Sequence, residues 1–150
     1  MDISKIDPWI DPAPSNERDM RLDHIRQQIK KKKPWAYRFL ARRYEKGGRG
    51  LKISTKKAIV NFKKGALLGD PVCMDAMGTM YDYGEGVALN EELAFEHYQR
   101  AAFKGYDCAQ CNLGKCYRYG YGVKKFNPKA REWFNRAAAQ DNEDAIENLR

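Results

Sequence analysis

The sequence predicts an all-α protein built as a solenoid of about three stacked helix pairs. Three glycines, Gly50, Gly86 and Gly122, follow one another at intervals of 36 residues. Eight residues after each glycine comes an alanine, and four residues later an aromatic residue: Ala58 and Phe62, Ala94 and Tyr98, Ala130 and Phe134. A fixed period in this range is typical of stacked supersecondary units. The alternation of small and aromatic residues predicts closely packed helices with rings filling the space between neighbouring pairs.

The N-terminal segment, residues 1–34, is predicted to hold an extended arm and a capping helix. Its first 14 residues contain three prolines, which favour an extended arm docked through Trp9 and Ile10. A helix is predicted from Ser15 or Asn16 to about Lys33. One narrow apolar stripe of this helix would cover the end of the stack: Met20 or Leu22, Ile25 and Ile29.

The repeat domain is predicted to span residues 35–150. Its three repeats cover residues 35–70, 71–106 and 107–142, each an antiparallel helix pair. Paired glycines such as Gly84 and Gly86 are predicted to take left-handed conformations that end the first helix and turn the chain. Residues 143–150 repeat the start of a first helix without its partner, so this half repeat is either a natural cap or a truncation.

Two of the repeats resemble the Sel-one-like repeat (SLR) family of the tetratricopeptide-like superfamily. The resemblance rests on MGTMYDYGEGV followed by NEELAFEHYQRAAFKG, and on LGKCYRYGYGV followed by NPKAREWFNRAAAQDN. The first repeat is degenerate, because Ala41 replaces the helix glycine and an extra residue enters the turn from Gly47 to Gly50. Over Trp35 to Arg150 the resemblance implies a right-handed α-solenoid that serves as a protein-protein interaction module.

No catalytic, metal or cofactor site is predicted. Cys108, Cys111 and Cys116 have a spacing that suggests zinc, but they fall within one helix and lack a fourth ligand. With Cys73 they are interpreted as reduced thiols. The Gly-x-Gly turns do not form a nucleotide-binding loop. The sequence therefore predicts a non-enzymatic protein without cofactors.

The chain is also predicted to be cytoplasmic and to have no membrane partner. It lacks an apolar run long enough to span a bilayer, and its beginning lacks the layout of a secretory signal. The cysteine pattern agrees with a reducing compartment.

Charge is unevenly distributed along the repeats. The chain carries a formal net charge of +8, and residues 35–70 hold ten Lys or Arg residues against two acids. Residues 71–106 hold two basic and six acidic residues. The basic end would attract an acidic protein, nucleic acid or a membrane surface.

The partner predicted first is another protein or peptide of acidic character. The resemblance implies that the first helix of each pair lines a concave binding face. The predicted binding residues are Arg38, Phe39, Arg42, Asp75, Thr79, Asp82, Tyr83, Asn112, Lys115, Arg118 and Tyr119. Arg and Tyr are common anchors in interfaces. An adaptor or scaffold is the first interpretation, and an immunity or inhibitor protein that binds a toxin is an alternative.

A second alternative is a basic nucleic-acid-binding accessory protein. Its predicted patch consists of Lys30, Lys31, Lys32, Lys33, Arg43, Arg49, Lys52, Lys56 and Lys57, together with Arg42. Phosphate contacts would make such binding fall steeply with salt. The acidic second repeat would repel a duplex lying along the whole stack, so this alternative ranks second. The oligomeric state stays open.

Overall fold

A computed structural model of the chain describes residues 20–48 and 50–150. These residues form eight α-helices, with a single isolated bridge between Gly48 and Leu51 as their one β-type pairing. The helices are α1 (Leu22–Lys30), α2 (Pro34–Lys46), α3 (Thr55–Leu67), α4 (Pro71–Tyr83), α5 (Glu91–Phe103), α6 (Asp107–Tyr119), α7 (Asn127–Ala138) and α8 (Glu143–Asn148). The second helices α3, α5 and α7 begin 36 residues apart, as the period of the sequence predicts.

Polar side chains cap the starts of four helices, α3, α4, α5 and α8. Ser54, Asn90 and Asn142 each accept a hydrogen bond from the backbone amide three residues later, at 3.2, 3.0 and 2.9 Å. Asp70 caps α4 in the same way at 2.9 Å. These bonds satisfy amides that have no partner within the helix, so each start is defined by the local sequence.

Glycines in a left-handed conformation end the first helices, as predicted. Gly84 and Gly120 have φ angles of 66° and 76° and follow the last residues of α4 and α6. Such angles suit glycine because it has no Cβ. The chain then returns toward the same helix, since the amide of Asn90 donates to the carbonyl of Tyr81 at 2.9 Å.

The chain divides into two compact units, and the first ends at Cys73. Here α2 packs against α3, and α1 packs against α2. The predicted apolar stripe of α1 is confirmed for Ile25, which is buried, and for Leu22 and Ile29, which pack against the same cluster. Met20 is buried in this cluster too, but it lies before the helix. Further core residues of this unit are Trp35, Ala36, Phe39, Leu40, Ala41, Ala58, Ile59 and Phe62.

The prediction of one unbroken helix to about Lys33 is wrong, because Met20 and Arg21 are not helical and α1 ends at Lys30. Arg21 is extended, with φ −69° and ψ 144°, and the helix begins at Leu22. The carbonyl of Met20 accepts a hydrogen bond from the Arg43 guanidinium at 2.8 Å, which holds this segment against α2 outside a helix. The predicted cap at Ser15 or Asn16, and the predicted docking of Trp9 and Ile10, lie outside the described residues.

The second unit runs from Met74 to Arg150. In each helix pair of this unit, an aromatic ring packs directly against a glycine of the facing helix. A Cβ added to Gly78 would lie 2.7 Å from the Tyr98 ring, and one added to Gly114 would lie 2.8 Å from the Phe134 ring. Tyr98 and Phe134 are both buried, as predicted, and so is Tyr117. The rings of Tyr98 and Phe134 were predicted to lie between neighbouring pairs, but each packs on the facing helix of its own pair. These close approaches are possible because glycine leaves room for the ring.

No helix in the described part of the chain combines the length and the apolar character that crossing a bilayer requires.

The buried ring of Phe134 gives a direct test of this packing. Replacing Phe134 by alanine should lower the free energy of unfolding by about 3–5 kcal/mol, because it leaves a cavity over Gly114. Replacing the exposed Lys124 by alanine should change it by less than about 0.5 kcal/mol. Chemical denaturation of both variants checks this. Equal losses would contradict the assignment of Phe134 to the core.

Candidate functional site

The predicted binding residues of the second unit form polar links between its helices. The side-chain amide of Asn112 on α6 donates to Oδ1 of Asp75 on α4 at 2.9 Å. Nζ of Lys115 donates to Oδ2 of Asp144 at the start of α8. The links join residues from successive repeats, so part of the predicted binding face belongs to the framework of the unit.

Arg118 completes this row of links at the end of α6. Its guanidinium donates to the backbone oxygen and to Oδ1 of Asn148, at 2.8 and 3.1 Å. The same group lies over the Phe134 ring, 4.6 Å from the centroid. A guanidinium held by two hydrogen bonds and a ring has a fixed position. Arg118 therefore presents a preset positive charge at this end of the face.

The carboxyl groups of the face differ in electrostatic environment. Burial raises the pKa of Asp75 to about 6, the bond from Asn112 opposes the rise, and Asp107 adds to it. The hydrogen bond from Lys115 holds the pKa of Asp144 below its ordinary value. At a pH at which Asp75 begins to take up a proton, Asp144 therefore remains a carboxylate.

Thr79 and Asp82 surround the hydroxyl of Tyr98. Both side chains lie 3.4 Å from the Tyr98 oxygen, and the Thr79 hydroxyl also donates to the backbone oxygen of Asp75 at 3.2 Å. Burial raises the pKa of Tyr98 well above its ordinary range, so the phenol stays neutral. Partial burial also raises the pKa of Asp82. These residues hold the polar end of the core ring.

Tyrosines form the most exposed part of the face. Tyr83 is 70% exposed and Tyr119, which lies one repeat later, is 50% exposed. Tyr121 is 43% exposed, and its ring centroid lies 5.7 Å from that of Tyr119. Lys115 lies one helical turn before Tyr119 on α6. We call Tyr83, Lys115, Tyr119 and Tyr121 the tyrosine face.

The binding face predicted from the sequence does not include Tyr121. It stands between the two glycines of the turn after α6, where the preceding repeat has Glu85. An aromatic residue at the centre of an exposed glycine turn is the signal that would have identified it.

In the first unit, the prediction that Phe39 belongs to the binding face is wrong. Phe39 is buried in the core and packs against Trp35, with ring centroids 5.2 Å apart. It faces inward because the α1 helix covers this side of α2. Arg38 lies over the Phe39 ring and pairs with Asp70 at 3.6 Å, and both charged groups are largely buried. Arg42 lies half-buried on α2.

The predicted basic patch is spread over several elements. Arg43 donates to the Met20 carbonyl, and Lys57 lies over the Tyr44 ring at 5.5 Å, so both side chains have contacts within the unit. Arg49 lies outside the described residues. The remaining members are at the end of α1 and beyond it, in the loop before α3, and in the first turn of α3: Lys30, Lys31, Lys32, Lys33, Lys52 and Lys56.

The cysteines are free thiols, of which Cys73, Cys111 and Cys116 are buried and Cys108 is exposed. Burial raises the pKa of both Cys111 and Cys116 to about 12, so these thiols stay protonated and are poor nucleophiles. The described residues contain no group of three potential metal ligands.

The raised pKa of Asp75 predicts a stability change with pH. Because the pKa rises from 3.8 to about 6 on folding, the folded state binds the proton more tightly, and stability falls as pH rises through this window. The variant Asp75→Asn keeps a hydrogen-bond acceptor for the Asn112 amide. It has no carboxyl group to titrate at this position, so it should not lose stability as the pH rises. Relative to the variant, the wild type should lose up to about 3 kcal/mol between about pH 4 and pH 7. Urea unfolding at both pH values measures the difference.

Glu96→Gln is the control for this experiment, because Glu96 is exposed on α5. We expect its pH dependence to match that of the wild type. If the free energies of unfolding of the wild type and of Asp75→Asn changed with pH in parallel over this pH range, the explanation would be contradicted.

Comparisons with known proteins agree with this fold. The Sel1 repeat family model matches residues 36–70, 71–106 and 109–142. A Sel1 repeat protein from Oxalobacter formigenes is 38% identical, with a TM-score of 0.80 over 85% of this chain and 96% of that one. Comparison with curated proteins returns no match.

Two further solved structures are similar. The c5321 protein, a protective antigen present in uropathogenic Escherichia coli strains and displaying an SLR fold, is 31% identical with a TM-score of 0.79, over 85% of this chain and 27% of that one. Helicobacter pylori cysteine rich protein B is 19% identical, has a TM-score of 0.62 over 91% of this chain and 98% of that one, and shares the fold. With three matched repeats and eight helices in its described residues, the chain belongs to the Sel1 repeat family and has its all-α solenoid fold.

Proposed function

We propose that this chain is a non-enzymatic protein-protein interaction module whose partner docks on the tyrosine face of the second unit. The observation that carries this proposal is the pair Tyr83 and Tyr119, which are exposed by 70% and 50% at equivalent positions of successive repeats. Sel1-like repeats are generally protein-interaction modules. The proposed roles are adaptor, scaffold or regulatory binding partner.

The physical properties of the tyrosine face suit a docking surface. A tyrosine contributes a large, rigid ring and a polar hydroxyl, and it loses little conformational entropy when a partner covers it. Beside the rings, the links made by Lys115 and Arg118 hold their charges in place before binding. Prearranged groups reduce the entropy that a partner must overcome.

We further propose a partner of acidic character. Lys115 and Arg118 place two positive charges along α6, although residues 74–150 as a whole hold 12 acidic and 10 basic residues. The attraction for an acidic segment is therefore local to these two cations. Asp82 and Asp144 lie close by, so an acidic segment would be positioned by the two cations and excluded from the carboxylates.

A double variant, Tyr83→Ala with Tyr119→Ala, tests the proposed function. Both side chains are exposed, so the fold should persist, while the loss of two anchor rings should weaken partner binding by at least roughly 30-fold. Proteins from cell extract that bind the wild type and not the variant are identified by mass spectrometry. The purified partner is then titrated against both forms by calorimetry.

The matched control replaces two exposed apolar residues elsewhere in the same unit, Leu89→Ala with Phe126→Ala. This control should bind as the wild type does. Circular dichroism verifies that both double variants are folded. A partner that binds the tyrosine variant and the wild type with equal affinity would refute the tyrosine face as its docking site.

A further inference from the structure

The outer side of α3 in the first unit carries a second exposed surface, formed by lysines and aliphatic residues. Lys56, Val60, Lys63, Lys64 and Leu67 stand at intervals of four, seven, eight and eleven residues from the first, which places them on one side of the helix. All five are exposed, Val60 by 44% and Leu67 by 88%. We call these five residues the lysine face.

The lysine face is directed away from the core. The opposite side of α3 buries Ala58, Ile59 and Phe62, and α3 packs against α2. Helix α3 contains no acidic residue, and none of the three lysines forms an ion pair with the described residues. Within the described part of the chain, no acidic side chain neutralises their charges.

The same positions in the other second helices have different chemistry. The corresponding residues of α5 are Glu92, Glu96, Gln99, Arg100 and Phe103, and those of α7 are Pro128, Glu132, Asn135, Arg136 and Ala139. In α7, Arg136 is paired with Glu132 at 2.9 Å. The lysine face has three positive charges, whereas the α5 set has a net charge of −1 and the α7 set is neutral. The repeat fold therefore does not require this surface.

We infer that the lysine face binds the surface of a bilayer containing anionic phospholipids. Lysines beside aliphatic side chains on an exposed helix are typical of interfacial binding, in which the ammonium groups meet lipid head groups and the apolar tips enter the boundary below them. Leu68, 40% exposed, extends the apolar part at the end of α3. This inference differs from the expectation that the chain has no membrane partner, which rested on the absence of a spanning segment.

Two other classes of ligand fit this surface less well. Nucleic acid phosphates would use the lysines, but an exposed leucine adds little to phosphate binding. Protein interfaces are anchored mainly by aromatic residues and arginine in pockets, and the lysine face contains neither residue type. Aliphatic residues and lysines together match the two components of an anionic bilayer surface.

Sedimentation with lipid vesicles tests the inference on the full chain. At about 0.1 M salt, the wild type should bind phosphatidylcholine vesicles in which about one lipid in three is phosphatidylserine, and it should not bind vesicles of phosphatidylcholine alone. Lys63→Gln with Lys64→Gln should weaken binding roughly 30-fold, because each lysine near an anionic surface contributes about a factor of five. Leu67→Asn should weaken it by about ten-fold.

The matched control removes two equally exposed lysines from the second unit, Lys124→Gln with Lys125→Gln. It should retain most of the binding to the phosphatidylserine vesicles. Equal losses for the two lysine pairs would show that net charge alone is responsible and would overturn the inference. An unchanged Leu67→Asn variant would overturn it as well, and so would binding of a short RNA through Lys63 and Lys64 without any vesicle binding.

Discussion

The close approach of an aromatic ring to a glycine of the facing helix is the constraint on which the repeat structure depends. In the second unit, Tyr98 covers Gly78 and Phe134 covers Gly114, and a methyl group at either glycine would collide with the ring. The ring sets the distance between the two helices of a pair, and the glycine makes that distance possible. First-unit packing uses the small Ala41 at the corresponding place, with Phe62 buried in the same core.

Polar residues on the first helices have two roles in this fold. Asn112, Lys115 and Arg118 make hydrogen bonds or ion pairs to α4 or α8, which fixes the positions of successive helices. On the proposed docking surface, these links also fix where Lys115 and Arg118 hold their charges. Tyr83 and Tyr119 beside them are exposed. The proposed surface thus combines structural links with exposed rings.

The two proposed binding surfaces belong to different units and have different chemistry. Tyrosines at the ends of α4 and α6, together with Lys115, favour a protein partner, since aromatic rings are common interface anchors. Lysines and aliphatic residues on α3 favour an anionic lipid surface. Residues 35–70 are strongly basic, whereas α5, the second helix of the next repeat, is acidic. For this reason α3 has such a surface and α5 does not.

The repeat fold can be predicted from the amino-acid sequence, because the 36-residue period, the small residues and the aromatic residues are local patterns that recur in each repeat. The glycine turns and the apolar stripe of α1 are local patterns of the same kind. Which residues of the face remain exposed depends instead on how the helices pack. Phe39 is covered by α1, and Asp75 meets Asn112 37 residues away, because contacts between distant segments depend on how helices pack and not on any local pattern. For the same reason, the sequence near Met20 does not show that Arg43, on another helix, donates a hydrogen bond to the Met20 carbonyl.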